Sequence, residues 1–289
     1  MKFGVVYPQT EMPPDPVAIR DYAQAVEYLG FQHILAYDHI LGASPERPGG
    51  WQGPYTFKDS FMEPFSLFSY MAGATQHLGF GTAILILPQR QTALVAKQAA
   101  CLSVLCKGRF RLGVGLGWNR VEYEALNKSF TDRGKRIEEQ VELLRRLFRE
   151  EVIDFQGKYE QITGAGLNPL PPDKHIPIWF GTNAEQATLR AARMGDGWFP
   201  GYKSARDAAA AMNMVKRERE AAGKGMQDFG IEPRVSYGDG DPDRLRTLVE
   251  DWTHAGATHL SFNTMGAGLG SVSRHIKALT VCSKIIGKL

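Results

Sequence analysis

The chain has 289 residues, 43% hydrophobic and 22% charged, an ordinary soluble composition with enough length to bury a full core. A net charge of +3 without a dense Lys/Arg run argues against a nucleic-acid surface, and no apolar run reaches the roughly 20 residues of a membrane span. Three cysteines, with no CxxC spacing and no clustered histidines, argue against a disulfide framework and predict reduced structural thiols in a cytoplasmic protein.

The opening "KFGVVYP" (Lys2 to Pro8) reads directly as a first strand, without the pattern of a signal peptide. Asp15-Pro16 supplies an N-cap and a proline at the first helical position. Ile19, Tyr22, Ala23 and Val26 follow at helical spacing, and Gly30 ends that helix. "FQHILAYD" is the second strand, and a Gly/Pro/aromatic loop runs from about Gly42 to Ser60. A helix around Pro64 to His77 leads to the third strand, "LGFGTAILIL". Another from Thr92 to Lys107 leads to the fourth, "RFRLGVGLG". Ile137, Val141, Leu144 and Phe148 mark one face of an amphipathic helix spanning Asp132 to Glu150. The rhythm breaks between Val152 and His175, where "FQGKYEQ" reads as a small strand and "LNPLPP" as a rigid coil. "IPIWFG", "GWFPG", "EPRVSYG" and "THLSFN" then read as strands five to eight.

Eight β-α units whose strands are apolar on both faces predict an α/β fold: a (β/α)8 TIM barrel, one domain over residues 1–289, with insertions after strands 2 and 4. An open doubly wound sheet is the alternative, but "YPQTEMPPDP" after strand one holds no phosphate-binding glycine loop. Active sites of such barrels lie at the C-terminal strand ends. That rule selects Gln9, Asp38-His39, Leu87-Pro88, Gly115-Leu116-Gly117-Trp118, Gly181-Thr182-Asn183, Phe199-Pro200, Tyr237 and Asn263 as candidates.

Asp38-His39 pairs a carboxylate with an imidazole, a combination suited to proton transfer. Neighbours on a strand point oppositely, so the two need not touch, and loop capping explains them as well. Ala83 puts a small residue in an otherwise bulky strand, which marks either a bulge near a ligand or plain core. The alternating glycines of "GVGLGWN" suit either a planar ligand or close packing in the barrel. Gly181-Thr182-Asn183 opens an alanine-rich helix, where free N–H groups make an anion site unless they are merely capped. Trp51, Trp118, Trp179 and Trp198 lie near strand ends or in the long loop, where they either wall a pocket for a flat ring or fill the barrel ends. Neither an HExxH metal motif nor a GxSxG nucleophile elbow occurs.

Taken in order, "LAYDHIL", "GTAILILPQR", "KGRFRLGVGLGWNRVEYEALN", "TDRGKRIEEQVELLRRLF" and "PIWFGTNAEQATLRAARMGDGWFP" resemble the bacterial luciferase-like flavin superfamily, and within it the deazaflavin (coenzyme F420) dependent oxidoreductases. The resemblance runs from Met1 to about Pro200 and implies a TIM barrel with insertions. It implies that Asp38 and His39 sit against the deazaflavin ring, His39 exchanging a proton with substrate while hydride moves to or from the cofactor C5. It implies a non-prolyl cis peptide at Ala83-Ile84 behind the ring and a backbone contact from Leu116-Gly117. Gly181, Thr182, Asn183 and Ala184 match the phosphate-binding turn, with Thr182 in place of the second glycine.

Trp118 stands where the sugar-phosphate dehydrogenases of the family carry an acid–base glutamate, which argues against that branch. Glu122 lies too far along to be assumed its substitute. The expected activity is F420-dependent oxidation or reduction of a small, apolar organic molecule held by Trp51, Trp118 and Trp198, with no metal and no nucleic-acid or membrane partner. An FMN-dependent monooxygenase and a catalytically silent homologue are the alternatives, and a homodimer is common among relatives.

Overall fold

The computed structural model describes residues 1–287. The elements in chain order are β1 (Lys2–Val6), α1 (Pro16–Tyr28), β2 (His33–Ala36), α2 (Pro64–Ala74), β3 (Gly79–Thr82), β4 (Leu85–Ile86) and α3 (Thr92–Leu105). Then come β5 (Phe110–Gly115), α4 (Arg120–Ala125), α5 (Arg133–Arg149), β6 (Ile153–Gln156), β7 (Gln161–Ala165), β8 (Ile178–Thr182) and α6 (Glu185–Met194). The last third holds β9 (Gly197–Pro200), α7 (Ala205–Ala221), β10 (Gly230–Ile231), β11 (Arg234–Ser236), α8 (Pro242–His254), β12 (His259–Asn263) and α9 (Val272–Ile286).

Local chemistry starts the helices where the sequence predicts. The Asp15 carboxylate accepts the Ala18 N–H at 2.8 Å, and Pro16 opens α1. Ile19, Tyr22, Ala23 and Val26 are its buried face. The main sheet runs in the order β10-β9-β8-β5-β3-β2-β1-β12-β11, with β4 on β5, and its neighbouring strands are parallel. Its two ends, β10 and β11, are separated in the chain only by Glu232 and Pro233. The Glu232 N–H donates to the Trp198 carbonyl, and the Ser261 N–H donates to that of Pro233, both at 3.0 Å. The sheet is thus curled until one short segment joins both of its edges.

Alternation along the strands decides what each face holds. Val5, Ile34, Phe180 and Trp198 point out and pack with the helices in the large core. Their strand neighbours Val6, Leu35, Trp179 and Phe199 form a separate small cluster with Ala83 on the concave side.

Two expectations change. Strand three is broken, with β3 ending at Thr82, β4 starting at Leu85 and a cis peptide between Ala83 and Ile84, where the resemblance implied it. The segment "FQGKYEQ" is a hairpin turn between two antiparallel strands, β6 and β7, not one strand. The Glu139 carboxylate of α5 ties that turn down by accepting the N–H groups of Lys158, Tyr159 and Glu160, a contact with no local sequence signature. This hairpin follows α5 and leads into β8, whereas the long connection after β2 reaches to α2. Cys106 and Cys282 are buried and Cys101 is half-buried, all free thiols. Among the described residues no helix is long and apolar enough to cross a membrane.

Candidate active site

At the C-terminal end of β2 the chain turns over Asp38 and His39, and the two side chains part company. Asp38 is buried and both its oxygens are engaged: Oδ1 pairs with Arg90 Nη2 at 2.7 Å, and Oδ2 accepts the Ile86 N–H at 3.0 Å. Burial pushes the Asp38 carboxyl up from its usual range, against the pull of the Arg90 guanidinium and the Ile86 N–H. Asp38 therefore braces β2 against β4 and the turn that follows it. The two sequence neighbours thus have separate sets of partners.

His39 faces a different set of neighbours. Its Nδ1 lies 3.0 Å from Glu122 Oε1, and its ring centroid lies 4.7 Å from Phe61, 5.1 Å from Tyr55 and 5.7 Å from Trp118. Glu122 sits in the first turn of α4, with its carboxylate buried. Linear distance is what made it look remote. The loop between β5 and α4 folds back over the end of β2 and closes that distance.

A cavity of about 250 Å³ lies beside His39, walled by Tyr55, Phe57 and Phe61 and by backbone from Ile40 to Gly42. Asp59 is the carboxylate in its wall, and it is engaged with the Thr56 N–H and hydroxyl. Trp51 and Trp118 stack at 5.7 Å over Gly53, and Trp118 is largely exposed at this rim. Trp198 was expected in the same wall and is not there. It is fully buried on the outward face of β9, its Nε1–H donating to the Thr182 carbonyl at 2.9 Å. Trp179 also misses the mouth, lying inside the curl under the Arg111 guanidinium. Strand alternation decides both cases, because direction depends on register that composition does not reveal.

Ala83 is buried, and Ile84 beside it lays its side chain across two neighbouring strands. A Cβ on Gly115 or Gly181 would come within 2.0 or 2.5 Å of Ile84 carbon atoms, so a larger residue at either position would displace the Ile84 side chain. Gly117 is in the left-handed region (φ +64) and turns the chain from Leu116 toward Trp118. At the start of α6, the Thr182 hydroxyl accepts the Ala184 N–H at 3.1 Å, and Ala184, in the N-cap position, offers the helix no side-chain cap. The remaining N–H groups of that first turn are unclaimed by a cap, next to exposed Asn183. Gln9, another strand-end candidate, is buried and donates to the Tyr37 carbonyl at 2.8 Å, while its Oε1 has no partner.

Arg90 and Arg234 at this end carry no expectation from the sequence, which sets Glu122 aside as too far along the chain. Arg234 of β11 reaches the Ala83 and Pro200 carbonyls, each at 3.4 Å, and so ties the broken third strand to β9. A signal for the two arginines did exist, in the charges of "LPQR" and "EPRVSYG" at the ends of otherwise apolar strands. Among the described residues no group of three or more His, Cys, Asp or Glu side chains could hold a metal ion.

The model of the luciferase-like monooxygenase family matches residues 1–276. The chain belongs to that family. An uncharacterized protein of Mycobacterium tuberculosis (strain ATCC 25618 / H37Rv) is 36% identical over 207 residues, covering 70% of this chain and 71% of that one. The F420-dependent glucose-6-phosphate dehydrogenase of Mycolicibacterium fortuitum is 32% identical over 254 residues, covering 82% of this chain and 69% of the relative. In three dimensions the monooxygenase RslO1 from Streptomyces bottropensis superposes with a TM-score of 0.81 at 17% identity, covering 100% of this chain and 99% of that chain. At that identity the likeness speaks for the fold. Membership of the luciferase-like family, with F420-dependent dehydrogenases among its relatives, makes the protein an oxidoreductase.

Proposed function

We propose that this luciferase-like protein is an F420-dependent oxidoreductase acting on a small, uncharged, apolar organic molecule, with His39 as its proton-transfer residue. The observation that carries the reading is the setting of His39, an imidazole anchored through Nδ1 beside an aromatic-walled cavity at the C-terminal end of the sheet. When bound, the deazaflavin would supply a hydride donor or acceptor at C5.

The residues present fit that group. Ala83, Ile84, Leu116 and Gly117 would support the ring, with the Ile84 side chain packed against Gly115 and Gly181, where a Cβ would collide with it. Gly181, Thr182, Asn183 and Ala184 would hold a phosphate at the uncapped first turn of α6. Thr182 already uses its hydroxyl to accept the Ala184 N–H, so it orders the turn that a second glycine would leave looser.

His39 would take or give one proton through Nε2, and Tyr55, Phe61 and Trp118 would keep bulk water from the transfer. Among the described residues no lysine or arginine lines the cavity beside His39, which does not favour a phosphorylated or carboxylated substrate. That composition, with Trp118 at the position of an acid–base glutamate, distances the reading from the sugar-phosphate activity named for the Mycolicibacterium fortuitum relative.

Titrating the purified protein with F420 and, separately, FMN tests the assignment. F420 is expected to bind, its oxidised form losing absorbance on addition of a neutral alcohol or its reduced form regaining it on addition of a neutral carbonyl compound. Tight FMN binding with no F420 binding would overturn it in favour of a flavin-dependent monooxygenase. No binding of either would point to a silent homologue.

A further inference from the structure

The way Glu122 is held suggests a role that neither the family match nor the strand-end rule assigns. Its side chain is 1% exposed. One oxygen, Oε1, accepts the Ile40 N–H at 3.0 Å and the Leu41 N–H at 3.5 Å, and it is the same oxygen that lies 3.0 Å from His39 Nδ1. The other oxygen accepts from Gln89 Nε2 at 3.3 Å. An oxygen that already accepts two backbone N–H groups faces Nδ1 as an acceptor too. Nδ1 then carries the hydrogen, and in the neutral imidazole Nε2 keeps the free lone pair.

We propose that Glu122 is the positioning residue of this site: it fixes His39 in the Nδ1–H tautomer and aims Nε2 at the substrate. The proposal rests on His39 being the proton-transfer group, but the tautomer itself can be read without any turnover. Two backbone N–H groups on the same oxygen pin the loop after β2 to α4, so orientation and tautomer are set by one contact. This arrangement also shows how the site works with Trp118 in place of a glutamate, because the buried carboxylate arrives four residues later, from a helix, and acts on the imidazole rather than on substrate.

The partners of Glu122 make its variants discriminating. In Glu122→Gln the amide oxygen can keep the position served by three donors, while the NH2 faces Gln89, whose amide flips to present the Oε1 that has no partner among the described residues. That variant is expected to retain the Nδ1–H tautomer. Glu122→Ala removes the acceptor, and the His39 ring is released.

The test is ¹⁵N NMR of the His39 imidazole in the cofactor-free protein, with kcat, KM and F420 affinity for each variant. The wild type and Glu122→Gln should show Nδ1–H, and Glu122→Ala should shift toward Nε2–H. In Glu122→Ala, kcat should fall about 10- to 100-fold, with KM and the F420 Kd within about twofold, and Glu122→Gln should recover most of the loss. An Nε2–H tautomer in the wild type overturns the proposal without any variant, as does a folded Glu122→Ala with unchanged tautomer and kcat. If the wild type neither binds F420 nor turns over, the functional reading fails, while the NMR result still decides the role of Glu122.

Discussion

Replacing His39 with alanine is expected to lower kcat by about 10²- to 10⁴-fold, the usual contribution of a positioned general acid or base, while F420 still binds with a Kd within a few-fold of wild type. The asymmetry follows from where the contacts lie. The proposed ring support comes from Ala83, Ile84, Leu116 and Gly117, and the proposed phosphate turn from residues 181–184, none of which leans on the imidazole. His39 instead contacts Glu122 and three aromatic rings on the side of the cavity. Steady-state kinetics paired with a fluorescence titration of F420 separates the two quantities. Unchanged kcat would remove His39 from the chemistry, and loss of F420 binding would move its role from proton transfer to cofactor placement.

The second large effect concerns stability at the opposite end of the curled sheet. Glu232 lies fully buried in the two-residue link between β10 and β11, facing His33, Ser261 and Arg111. Its Oε2 is 2.8 Å from Arg111 Nη2, a close ion pair without good hydrogen-bond alignment, so its strength is chiefly Coulombic. Glu232→Ala is expected to cost about 3–5 kcal/mol in urea unfolding, because it leaves the Arg111 guanidinium buried without its counter-charge. A loss under about 1 kcal/mol would mean that water or a shifted side chain replaces the carboxylate.

The same cluster sets an acid limit. Burial alone would raise the Glu232 carboxyl, but Arg111 and His33 outweigh burial and hold it well below the usual carboxylate range. Burial, reinforced by the Arg111 charge, pushes the His259 imidazole down to about 3 from 6.5. His33 is pushed down by burial as well. Between pH 6.5 and 3 the unfolded chain therefore binds a proton on His259 that the folded protein refuses, and stability falls as pH falls through that window. Below the ordinary carboxylate value of 4.5, proton uptake by Glu232 in the unfolded chain adds to the loss. Urea midpoints at steps from pH 7.5 to 4 should decline from about pH 6.5 downward, and a flat profile to pH 5 would contradict the buried-imidazole account.

Much of this protein is set by local chemistry that its sequence displays. The β-α rhythm, the Asp15 cap and the buried stripe of α1 depend on residues a few positions apart, where periodicity and capping act directly. The family motifs likewise led to the cis peptide at Ala83-Ile84 and to His39 at the end of β2. Which side chains meet across the chain was decided only by tertiary structure. Asp38 and His39 are neighbours in sequence, yet one pairs with Arg90 and the other with Glu122, 83 residues away. Trp118 reaches the rim while Trp198, also at a strand end, is sealed in the outer core. Strand register and the direction in which its Cβ leaves the backbone seal Trp198. Asp38, His39 and Trp118 instead lie past their strand ends, where the fold of the connecting turns decides what they meet.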